Sequence, residues 1–224
     1  MGDVGIMVGR VLRATTANFS VGCRGLFTIA DRLIPEFGGL VKALGRDGAV
    51  IYGLTYNVTI DDDAFVRQLV AAGLEDATYI EDQRQNRQVP VVADILTLGG
   101  QGAGQELSYR LPAQPPGPLD EIYACNAAEI VRFTLRNDWL RTVLAAKDAP
   151  SDQLITASLS AAAAARPLGQ REAYLVAAGR ELARQMALDL GRLDGILGQL
   201  YDDIEEKTRE RQTSSTQGAP ARSP

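Results

Sequence analysis

Between Leu111 and Glu121 the sequence reads LPAQPPGPLDE, with Pro112, Pro115, Pro116 and Pro118 inside seven residues. Proline lacks a backbone N–H and locks φ, so neither a strand ladder nor a helix interior runs through such a stretch. The chain must therefore be assembled from two pieces that meet there. Residues 1–118 form the first unit, 119–211 the second, and 212–224 a polar tail.

The two pieces carry different patterns. Before the prolines, GIMVGRVLRATT, FSVG, LVKAL, AVIYGLTYNVTI, QVPVVADILTL and ELSYRLP are short runs of β-branched, aromatic and aliphatic residues. Gly, Asp and Asn separate them, in GRDG and GGQGAG for example, which is strand and turn chemistry. Six short strands in this length predict a small closed barrel, because closure removes exposed edges. One helix interrupts it: in DDDAFVRQLVAAG, Phe65, Val66, Leu69 and Val70 recur at helical spacing and Gly73 ends the run.

After the prolines the spacing is helical. Asn126 stands as N-cap with Glu129 three residues on, a second helix follows Asn137, and a third follows Ser151 and stops before Pro167. From about Gln170 to Arg211, Leu182, Met186, Leu190, Leu193, Leu197, Leu200 and Ile204 step by threes and fours, which predicts one long helix. The tail TSSTQGAPARSP offers nothing to bury and is expected to be disordered. The fold class expected is thus β + α: a six-stranded barrel with one inserted helix, then an all-α region with a long terminal helix.

Composition removes several kinds of chemistry. The 224 residues contain no histidine, which excludes Ser-His-Asp and Cys-His catalysis and the commonest transition-metal ligand. Two cysteines, Cys23 and Cys125, are too few for a structural zinc site and read as separate buried thiols. A net charge of -5 argues against indiscriminate nucleic-acid binding and leaves local contact open. The chain start lacks a basic segment followed by an apolar run, and no stretch of about 18 apolar residues occurs, so no membrane role and a cytoplasmic location are expected.

Three constellations invite a site. Asp61, Asp62 and Asp63 could hold a metal, serve acid/base chemistry or start a helix. Consecutive aspartates do not alternate as a calcium loop requires, and helix capping accounts for them. LGGQGAGQ resembles a phosphate cradle, yet no Lys-Ser or Lys-Thr follows and Gln105 stands where a third glycine is needed, so it reads as a hairpin loop. Arg84 and Arg87, behind Glu81 and Asp82, form a mixed-charge loop that offers a partner contact. On the terminal helix, Gly191, Gly195 and Gly198 fall at i, i+4 and i+7 beside Leu193, Leu197 and Leu200. Either that helix packs on its own unit or it meets another chain.

Several stretches together resemble one family. VGRVLRATTANFSV is similar to the opening strand of the HAS barrel of HerA-type ATPases and ATP synthase subunits, through Gly9, Val11, Thr15, Thr16 and Phe19. IYGLTYNVTIDDDAFVRQL resembles its middle strand and following helix, through Tyr52, Gly53, Ile60, Asp62, Phe65 and Arg67. RQVPVVADILTLGG resembles its later strand, through Arg87, Val89, Pro90, Val91, Leu98 and Gly99. The proline-rich PAQPPGPLDEIYACNAAEIVRF is similar to the linker that leads into the RecA-like motor. The likeness spans roughly residues 4 to 118, and where the motor's P-loop would begin this chain has helices.

The resemblance implies a non-enzymatic assembly or adaptor subunit, without a cofactor, that meets a HerA/FtsK-type hexameric ATPase or a NurA-type nuclease in DNA processing. It also implies a homo-oligomer or hetero-oligomer. Arg84, Arg87, Leu193, Leu197, Leu200, Gly191, Gly195 and Gly198 are the expected contact residues. A different class remains open beside it: a small-ligand or nucleotide-sensing barrel that binds at its mouth near Gly99 to Gly104.

Overall fold

The structure is a computed structural model that describes residues 5–26, 35–45, 48–60, 67–68, 71, 73 and 88–217. Six antiparallel strands close a barrel: β1 (Ile6–Ala14), β2 (Asn18–Leu26), β3 (Leu40–Leu44), β4 (Val50–Ile60), β5 (Gln88–Gln101) and β6 (Glu121–Ala124). Their order around the barrel is β1-β2-β5-β4-β3-β6. Five helices follow: α1 (Ala127–Phe133), α2 (Leu140–Leu144), α3 (Ser151–Ala164), α4 (Leu168–Gln185) and α5 (Leu190–Gln217).

Alternation along the strands builds two cores. Val11, Phe19, Val21, Val41, Ala43, Ile51, Ala93, Ile95 and Ile122 point inward and fill the barrel. Leu40, Tyr52, Leu54 and Leu98 point outward from β3, β4 and β5, where they join Phe133, Trp139, Leu140, Leu154, Ile155, Leu159, Leu182 and Ile196 in a second cluster. The helices are therefore a cap glued to one wall of the barrel. Each fully buried Leu, Ile or Phe contributes roughly 1.5 to 3 kcal/mol, so this shared wall holds the two parts together. Gly53 lies at the β4–β5 register shift, where a Cβ would stand 2.5 Å from Ile95 Cγ2, so only glycine lets the strands approach there.

Several expectations are corrected. The sixth strand is not ELSYRLP, which contributes only the bridge between Gly100 and Ser108. It is EIYA, beyond the prolines, which pairs with both β1 and β3 and closes the barrel on the far side of the boundary read at 118/119. The long helix is two helices, because Asp189 accepts from Arg192 N at 3.2 Å and restarts the chain as α5. The tail is helical as far as Gln217, since extending an existing helix needs no new nucleus. Ser151 opens α3 without capping it; its hydroxyl instead accepts from Arg192.

Other expectations match. Asn126 and Glu129 form a complete capping box on α1. Trp139 is fully buried in the helical cluster, and Cys23 and Cys125 are buried free thiols. Of the inserted helix, Arg67, Gln68 and Ala71 are described and helical, and Gly73 has φ +62. Asp61, Asp62 and Asp63 lie outside the described residues.

Candidate functional site

The barrel has an open mouth where the β3–β4 hairpin, the glycine-rich end of β5 and the proline segment converge. Gly100 exchanges backbone hydrogen bonds with Ser108, at 2.8 and 2.9 Å, which folds the chain back after β5. A Cβ on Gly99 would stand 2.2 Å from Ser108 O, so this fold-back requires glycine. Residues 110–118 then cross the end of the barrel as a strap. The strap is pinned at its exit: Asp120 accepts from Gly117 N at 2.7 Å, Arg10 Nη1 donates to Leu119 O, and Leu119 sits at φ +66.

Between strap and barrel runs a groove of about 870 Å³, lined by Val50, Ile51, Gln101, Ser108, Arg110 and Pro116 among others. Ile51 belongs to the barrel's inner core, so the groove reaches down to it. Prolines donate no backbone hydrogen bonds, and the strap's remaining amides form no ladder. The groove thus offers apolar walls, amide and hydroxyl side chains and the exposed Arg110 guanidinium. That is chemistry for binding.

A second constellation joins barrel to cap. Lys42, on the outer face of β3, donates Nζ to Glu129 Oε1, and Glu129 Oε2 accepts from Asn126 N at 3.1 Å. One carboxylate therefore caps the start of α1 and pairs with a lysine that is 6% exposed. Burial, then the neighbouring Cys125 and Glu129, push the Tyr52 hydroxyl above its usual range. Burial and then Glu129 likewise push Cys125 up, and burial pushes Cys23 up to about 11. Both thiols stay protonated at neutral pH, so neither serves as a nucleophile in this state.

Deeper in the cap, Arg166 donates to Thr134 O, Thr134 Oγ1 and Ala162 O, and lies 3.5 Å from the centre of the Tyr174 ring. On the outer barrel wall, Ser20 Oγ donates to Asp94 at 2.6 Å and Asn57 Nδ2 donates to it at 3.0 Å, while Arg13 Nε donates to Ser20 Oγ. That polar chain crosses β1, β2, β5 and β4. Among the described residues no three His, Cys, Asp or Glu side chains gather as metal ligands. No helix among them is long and apolar enough to cross a membrane.

The expected contact residues are dispersed. Arg84 and Arg87 lie outside the described residues. Leu193 and Leu200 are buried in the chain's own core, which answers half of the question about the terminal helix: its leucine face packs at home. Leu197 is 37% exposed, and Gly191, Gly195 and Gly198 face outward. Of the glycines expected at the mouth, Gly100 and Gly102 line the groove, while Gly99 is buried against Ser108. The strap, Lys42 and Arg166 escaped the sequence reading. A lone lysine inside an apolar strand and an arginine directly before a helix-starting proline were the available signals.

No protein-family model matches the chain, nor does any curated protein. The class defined by the structure is a closed six-stranded antiparallel barrel carrying a helical cap.

Proposed function

We propose that this chain is a non-enzymatic assembly subunit of the cytoplasm that works with a HerA/FtsK-type hexameric ATPase, or with a NurA-type nuclease, in DNA processing or repair. One observation carries the reading. The stretches that resemble the HAS barrel fall on β1, β2, β5 and β4, four successive neighbours in a closed barrel. They came from sequence likeness alone, yet they are contiguous in space and continue into one polar outer wall around Asp94. A barrel of this kind is suited to dock on a motor supplied by another chain. The test is to mix the purified chain with a HerA/FtsK-type hexameric ATPase and follow mass by size exclusion with light scattering. Co-elution at a defined ratio supports the reading, and separate elution with and without ATP overturns it.

The mouth groove favours a second reading, a small-ligand or nucleotide-sensing module. Its volume suits a nucleotide-sized molecule, and Arg110 would meet an anionic group. Binding to the folded state raises apparent stability, so a thermal-shift panel of nucleotides decides it. No shift at millimolar ligand removes this alternative.

A further inference from the structure

The outward face of the α4–α5 hairpin has no role in the barrel, the mouth or the shared core. α5 buries Leu193, Ile196 and Leu200 toward the cap, while Leu190, Leu197 and Tyr201, at i, i+7 and i+11, form an apolar ridge on its flank, exposed by 66, 37 and 63%. Leu197 reaches to 3.8 Å from where a Cβ on Gly179 of α4 would lie, so the ridge stands beside the seam between the two helices. Next to the ridge, added Cβ atoms on Gly191, Gly195 and Gly198 would meet nothing within 4 Å. Water-facing apolar side chains beside an open furrow are what a second helix covers.

Charge order along the hairpin selects the occupant and its direction. Residues 193–206 hold Asp194, Asp202, Asp203, Glu205 and Glu206 and no lysine or arginine. Just before them an open cleft of about 400 Å³ is lined by Arg184 and Arg192, with Asp189 between them in sequence, and by Leu144 and Leu188, among others. Arg184 already pairs with Glu181 and Arg192 with Asp152, but a guanidinium carries five N–H donors and each keeps some to spare. Two such hairpins laid parallel would stack acid on acid. Laid antiparallel, the acidic half of each α5 arrives at the arginine-lined cleft of the other.

We propose that this face is a homodimer interface, in which two copies pair their α4–α5 hairpins antiparallel about a two-fold axis near Gly195 and Gly198. The ridge of each copy seats in the glycine furrow of its mate, and Asp202 and Glu206 approach the mate's Arg184 and Arg192. Such an isologous contact closes on itself and yields a four-helix bundle. It needs no motor protein, so its fate is separable from that of the assembly reading.

The test uses the full chain alone, by light scattering at about 100 µM, which reveals even a weak dimer. The expected mass is twice 24.0 kDa. A Gly195→Gln/Gly198→Gln variant fills the furrow, and the added Cβ atoms meet nothing of their own chain within 4 Å. It is expected to run at 24.0 kDa with unchanged helical circular dichroism. A monomeric wild type, or a variant that stays dimeric, overturns the interface. Asp202→Lys/Glu206→Lys is expected to weaken the dimer by about tenfold or more in Kd. A tighter dimer in that variant overturns the antiparallel arrangement.

Discussion

The Lys42–Glu129 pair is the most informative place to perturb the joint between barrel and cap. Lys42 is 6% exposed and Glu129 24%, so the lysine is the deeper partner. Glu129→Gln keeps an acceptor for Asn126 N but removes the charge opposite Lys42. Removing one partner of a buried pair costs about 3 to 5 kcal/mol, and the partial exposure of Glu129 puts the expected loss at the lower end, about 3 kcal/mol. Lys42→Met leaves a carboxylate that is still hydrogen-bonded and partly hydrated, for a loss of about 1.5 kcal/mol. The double variant has neither charge to strand and is expected within about 1 kcal/mol of wild type. The coupling energy is therefore about 3.5 to 4.5 kcal/mol. At roughly 2 to 4 °C per kcal/mol for a chain of this size, Glu129→Gln lowers Tm by about 6 to 12 °C. Urea unfolding followed by the single tryptophan, Trp139, which is buried in the shared cluster, reads all four proteins. Additive single losses, with a coupling below about 0.5 kcal/mol, refute the claim that this pair joins the two parts.

Three other outcomes are expected. Arg166→Lys cannot reproduce the fork that reaches Thr134 O, Thr134 Oγ1 and Ala162 O, and is expected to cost about 2 kcal/mol in the same urea assay. Leu119→Asn relieves a left-handed leucine that is 63% exposed and is expected to gain about 0.5 to 1 kcal/mol, read as a higher urea midpoint at unchanged slope. Stability should also fall in alkali. Burial raises Cys23 from 9.0 to about 11 and Tyr174 from 10.0 to about 12, so the folded chain holds protons that the unfolded chain releases. That stability is complete below pH 9 and is lost as pH rises through about 12, by up to about 1.4 kcal/mol per pH unit for each group. Thermal melts from pH 8 to 11 check it, and Cys23→Ala should flatten the onset.

Much of the barrel was legible because strand periodicity and turn chemistry are local signals. Five strands fell where the β-branched runs put them, and Asn126 with Glu129 announced a cap that is present. The sixth strand was missed because closure is a long-range event: EIYA is only four residues long, and its two partners are supplied by β1 and β3. ELSYRLP alternates well, but after a single bridge the chain leaves as the strap, where Pro112 begins the run of prolines. The break between α4 and α5 hid under a leucine pattern that continues across it, since both helices bury against the same α3; Asp189 was the local cue. The mouth groove was legible only as a glycine cluster, because its depth arises where the strap folds back over the end of the barrel. Lys42 and Glu129 are 87 residues apart, and no local pattern joins them.

The most direct measurement of the proposed assembly role is amide hydrogen exchange on this chain, alone and mixed with a HerA/FtsK-type hexameric ATPase. Slowed exchange in β1, β2, β4 and β5, with the core of α3 unchanged, is the expected result. Identical exchange throughout, with and without the motor, contradicts it.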